Sequence, residues 1–77
     1  MLTAFILINV EAGAEAEVLK ALKRIKHILE AYTVYGVYDI VAKIKADSMN
    51  ELEDVNWEIR NLDKVSSTRC LIAIKSV

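Results

Sequence analysis

Tyr32-Thr33-Val34-Tyr35-Gly36-Val37-Tyr38-Asp39-Ile40-Val41-Ala42-Lys43 is the stretch that decides the fold. Apolar and β-branched residues dominate both limbs, and Gly36 is the natural break between them. The stretch therefore predicts two strands folded back on each other. A two-residue loop at Gly36-Val37 would suit a type II′ turn, with glycine at the position that requires positive φ. That register sets Tyr35 opposite Tyr38 and Glu30 opposite Lys43, an opposite-charge pair that favours it; a longer turn also fits. Asp39, an acidic group among valines and isoleucines, must be solvated, paired or holding something.

On the N-terminal side, residues 3–10 predict a strand. Ala4, Ile6, Ile8 and Val10 share one face and Phe5 and Leu7 the other, so the strand should lie inside a sheet with cover above and below. Glu11-Ala12-Gly13 ends it, and Val18, Ala21, Leu22 and Ile25 predict a helix over roughly 14–26. Early Glu15 and Glu17 and late Lys20, Lys23, Arg24 and Lys26 complement the helix dipole, which accounts for the basic cluster as a solvated face. His27 is expected to cap that helix or face solvent. Strands are expected over 29–35 and 38–45. Ser48 and Glu51 match a capping box ahead of the periodic Leu52, Val55, Ile59 and Leu62. Trp57 lies off that stripe, where it covers a helix edge or meets another subunit. The last strand is expected over 65–75, with Ser66, Thr68, Cys70, Ile72 and Ile74 on one face and Leu71 and Ala73 on the other.

The order is β-α-β-β-α-β. Right-handed crossovers make this a four-stranded antiparallel sheet with both helices on one face. Strands one and four carry apolar side chains on both faces, so the uncovered face should meet another protein surface, most simply the same face of a second copy. Composition agrees. The 77 residues make one domain, and their 55% hydrophobic content exceeds the roughly 45–50% of soluble domains. Ten Lys and Arg against eleven Asp and Glu argue against a nucleic-acid surface. The single Cys70 excludes an internal disulfide framework and fits a reducing, cytoplasmic compartment. No signal peptide and no 18-residue apolar run suggests membrane contact.

Enzymatic motifs are thin. His27 stands alone, Ser66, Ser67 and Thr68 have no histidine placed beside them, and no phosphate loop, dinucleotide fingerprint or metal-ligand spacing occurs. No cofactor or metal is expected. A small-molecule site is the reading with chemistry behind it. Asp39 can receive an ammonium group, the backbone at Gly36 can approach a ligand, and the hydroxyls of Ser66, Ser67 and Thr68 can engage a carboxylate. The alternative is that Asp39 stabilises the turn or pairs with a lysine and the hydroxyls cap a strand end.

Val34-Tyr35-Gly36-Val37-Tyr38-Asp39-Ile40-Val41 resembles the V-x-G-x-Y-D-(I/L)-(V/I) hairpin of the effector-binding domain of the leucine-responsive/asparagine-regulatory (Lrp/AsnC) transcription factors. The likeness extends through Ala4-Phe5-Ile6-Leu7-Ile8, Glu30-Ala31-Tyr32, the acidic second helix and Thr68-x-Cys70-Leu71-Ile72. It implies a ferredoxin-like α+β fold that dimerises sheet to sheet into an α/β barrel, with dimers joining into octamers or rings. It also implies amino-acid effectors bound near contacts between dimers. By position, Gly36, Tyr38 and Asp39 belong to the effector loop, Thr68 is the hydroxyl of the last strand, and Cys70 stands where threonine is frequent. Full regulators carry an N-terminal helix-turn-helix, whereas the first strand here follows almost directly on Met1. The resemblance is thus to a stand-alone domain spanning 1–77, without a DNA-binding domain and without operator contact of its own. Such a domain senses a metabolite or co-assembles with full-length regulators. Two other classes stay open: an interaction module without a small ligand, and an enzyme of the monooxygenase-like barrel type.

Overall fold

The computed structural model describes residues 1–74. The chain runs β1 (Leu2–Val10), α1 (Glu15–Leu22), β2 (Ile28–Thr33), β3 (Ile40–Ala46), α2 (Met49–Arg60) and β4 (Val65–Ala73). The strands form one antiparallel sheet in the order β2-β3-β1-β4. This is the expected ferredoxin-like fold, with β1 in the interior of the sheet. β4 ends at Ala73, so Ile74 falls outside the strand expected over 65–75, and Lys75 lies outside the described residues.

Alternation sorts the strands onto two faces. Ala4, Ile6 and Ile8 of β1 and Ile40, Ala42 and Ile44 of β3 are fully buried, packed with Val18 and Leu22 of α1 and Leu52, Val55 and Ile59 of α2. Residues paired across strands point to the same side, so Thr68, Cys70 and Ile72, opposite Ile8, Ile6 and Ala4, also face the helix layer. The other face carries Phe5, Leu7, Val41, Tyr32 and Leu71, with Lys43, Lys45, Arg69 and Glu30 among them. Neither helix covers it. Phe5, Tyr32 and Leu71 are 36%, 55% and 48% exposed, large values for apolar side chains in mid-sheet.

Two bulges adjust the register. Ile28 pairs with Ile44 but Glu30 with Lys43, leaving Leu29 as the extra residue of β2. In β4, Val65 pairs with Val10 and Ser67 with Asn9, so Ser66 is extra and falls out of the alternation expected for it.

Helix α1 is shorter than its periodicity predicts. It ends at Leu22, and the chain tightens through Arg24 N–H to Ala21 O (3.2 Å) and Ile25 N–H to Leu22 O (3.0 Å), which keeps Ile25 buried while turning towards β2. Ser48 caps α2 as expected, its Oγ accepting from Glu51 N–H at 3.2 Å. The return bond differs from a capping box. Glu51 Oε1 accepts from the N–H of Asp47, at 2.9 Å, instead of that of Ser48. The same oxygen lies 3.2 Å from His27 Nε2. His27 thus faces the start of α2, where the sequence suggests a cap on α1 or solvent.

Candidate functional site at the β2–β3 loop

The hairpin keeps the predicted register but not the predicted turn. Glu30 pairs with Lys43 and Thr33 with Ile40, and Glu30 Oε2 lies 3.9 Å from Lys43 Nζ. Residues 34–39 then form a six-residue loop closed at its base by Val34 N–H donating to Asp39 O at 2.9 Å. Gly36 has φ +127°, and nothing lies within 4 Å of where its Cβ would stand. Conformation, not crowding, selects glycine here. Tyr35 and Val37 flank it in solvent.

Asp39 explains why the ladder opens early. Its N–H donates to Ile8 O at 3.0 Å, and its Oδ2 accepts from Val10 N–H at 2.9 Å. The carboxylate takes the place of a backbone carbonyl where β3 has already left β1, so Asp39 is held against β1 instead of completing a tight turn with β2. Its Oδ1 accepts no hydrogen bond among the described residues.

Above this anchor lies an open depression of about 520 Å³ lined by Glu15, Thr33, Val34, Tyr35, Gly36 and Asp39. Two of the lining side chains are carboxylates and none is cationic, which suits a ligand's ammonium group. Sequence reasoning points to Gly36 and Asp39 but misses Glu15, which the β1–α1 connection brings to the loop from the first turn of α1. Its position at a helix start reads as dipole complementation, and only the topology shows what it faces.

The other sequence-selected residues lie elsewhere. Tyr38 is half-buried in the same loop but does not line the depression. Thr68 is the cross-strand neighbour of Ile8 on the side away from Asp39, and its hydroxyl lies 3.3 Å from Asn56 Oδ1 of α2. Cys70 is half-buried against the core, and burial pushes its thiol above the ordinary cysteine range, so the group is a protonated packing element near neutrality. Within one protomer β1 thus separates the hairpin residues from Thr68 and Cys70, by about 10 Å across two strand spacings.

On the open face Tyr32 donates a hydrogen bond to Glu30, and that bond, then the negative charge beside it, push the phenol up. No group of three or more His, Cys, Asp or Glu among the described residues could hold a metal ion. Nor is any described helix long and apolar enough to cross a membrane.

The family model of the Lrp/AsnC ligand binding domain matches residues 3–77. The HTH-type transcriptional regulator FL11 of Pyrococcus abyssi is 38% identical over 73 residues, which are 95% of this chain and 48% of that protein. The chain thus spans about half the length of the curated relatives it matches. Among solved structures, FFRP-DM1 is 40% identical with a TM-score of 0.91, covering 96% of this chain and 100% of that one. TTHA0845 from Thermus thermophilus is 32% identical with a TM-score of 0.94, covering 100% and 98%. The fold, the hairpin and these likenesses agree: the chain belongs to the Lrp/AsnC ligand-binding domain family, whose relatives include transcriptional regulators.

Proposed function

We propose that the chain is a non-enzymatic, cytoplasmic sensing module that binds an amino acid or similar small effector at the β2–β3 loop. The observation that carries this reading is the depression of about 520 Å³ beside Gly36, walled by the carboxylates of Glu15 and Asp39. They would receive the effector's amino group, while the N–H groups of residues 35–38, which donate to no carbonyl among the described residues, would meet its carboxylate. Thr68 and Cys70, being on the far side of β1, reach such a ligand only from a neighbouring protomer. This fits a site completed by oligomerisation. The uncovered sheet face, with Phe5, Tyr32 and Leu71 exposed, supports sheet-to-sheet pairing into a barrel, and higher rings or octamers would bring loop and β4 of different protomers together. Effector binding would act by favouring one assembly over another, which requires different affinities for the two. The readout would pass through co-assembly with full-length regulators of the family, without direct nucleic-acid contact.

One observation favours a second reading, an interaction module with no small ligand: Oδ2 of Asp39 is already engaged by Val10 N–H. Calorimetric titration of the amino acids separates the two. Binding of at least one, weakened about tenfold or more in Asp39→Asn or Glu15→Gln with the fold intact, supports the sensing module. No binding heat with any amino acid overturns it in favour of the interaction module, and wild-type affinity in both variants overturns the loop as the site.

A further inference from the structure

Trp57, the only tryptophan, is 64% exposed. At 3.6 residues per turn, burial of Leu52, Val55 and Ile59 sets Asn50, Asp54 and Trp57 at the opposite, solvent pole of α2. Its surroundings are acidic, since residues 49–60 carry four carboxylates against one arginine. The neighbouring α1 has the reverse character. Burial of Val18 and Leu22 sets Ala16, Lys20 and Lys23 at its solvent pole, and residues 15–26 carry four cations against two glutamates. The helix layer is therefore divided into a basic half and an acidic half that bears an exposed aromatic.

We propose that the helix layer is a self-complementary docking surface for a second copy of this chain, with α2 of each protomer lying on α1 of the other. A two-fold axis lying between the two layers, parallel to the helices, makes both contacts at once. Asp54 and Glu58 then meet Lys20 and Lys23, and Trp57, between the two carboxylates along α2, lies between the lysines with their ammonium groups against its ring. Like-on-like stacking of the helices would instead set carboxylates against carboxylates. The protomer is 34 Å by 25 Å in its two longest dimensions, broad enough for the roughly 800 Å² per partner of a stable interface. The surface is distinct from the open sheet face and from the loop depression, so it stands independently of the effector reading.

The experiment follows molar mass by light scattering and Trp57 emission against protein concentration, at low and at high salt. At low salt the expected result is an assembly larger than that at high salt, with emission shifting to the blue as it forms. Sheet-to-sheet pairing leaves this emission unmoved, because Trp57 is on the other side of the molecule. Trp57→Ala should weaken the step about tenfold or more. Lys20→Glu/Lys23→Glu and Asp54→Lys/Glu58→Lys, all at exposed positions, should each abolish it, and an equimolar mixture of the two should restore it. The proposal is overturned if wild type shows no salt-dependent step, if its emission stays that of solvated indole throughout, if either reversed variant assembles as wild type does, or if the mixture stays apart.

Discussion

Asp39 joins β1 to the loop through both its backbone and its carboxylate. Asp39→Ala leaves Val10 N–H without its acceptor and should cost about 1–3 kcal/mol, whereas Asp39→Asn keeps an acceptor oxygen and should cost less. Urea denaturation of both variants checks the difference. A drop of equal size in both would mean that the charge, not the hydrogen bond, holds the strand end. Cys70 makes a pH-dependent prediction. Burial raises its folded pKa above the unfolded value of 9.0, so the protonated thiol favours the folded state. That stability is fully present below about pH 9 and is lost as pH rises through the folded value. Wild type should lose melting temperature faster than Cys70→Ala across this alkaline range, and alkylation of the native thiol at pH 7–8 should be slow. Fast alkylation would place Cys70 at an open surface.

At the scale of elements, Ser48→Ala removes the acceptor for Glu51 N–H and should destabilise by about 1 kcal/mol, read as a lower urea midpoint with an unchanged slope. Gly36→Ala meets no steric obstacle, yet its φ of +127° should cost about 1–3 kcal/mol, read in the same urea titration. The elements themselves were legible in the sequence because their apolar periods are clean. The alternation of Ala4, Ile6 and Ile8 and the stripe of Leu52, Val55 and Ile59 each admit one orientation against a core. The register of the hairpin was legible too, through Glu30 and Lys43. Its turn was not. The bonds that open the loop run from Asp39 to β1, about thirty residues earlier, and no local pattern announces them. The end of α1 failed for a related reason, since Ile25 keeps its helical period while its backbone already follows a tighter turn. Glu51 was readable as a capping residue, but its second partner, His27, comes from another element. Glu15 at the depression is the same kind of case.

At the scale of the molecule, both broad surfaces of the protomer are unfinished. The open sheet face is apolar at its centre and the helix layer is polarised across its width. A charge placed at the centre of the sheet face, as in Phe5→Asp, should reduce the molar mass in solution without melting the fold, because Phe5 points away from the buried Ile6 and Ile8. Unchanged mass would remove the sheet from the list of contacts. The excess of apolar residues in the composition had already required some such surface; only the strand pairing shows which side chains form it. Cavity-forming changes on the other side of β1 should behave differently, with Ile6→Ala costing about 2–5 kcal/mol in unfolding.

The bond that closes the loop at its base, Val34 N–H to Asp39 O, separates what the hairpin supports from what it displays. Below it β3 is fixed by its pairing with β1 and β2 by its pairing with β3; above it Tyr35, Gly36 and Val37 stand in solvent and brace nothing in the core. The tip is accordingly an exchangeable cassette. Descendants of one ancestral scaffold could alter its length or side chains, and with them what is recognised, while inheriting the same folding pathway and the same core.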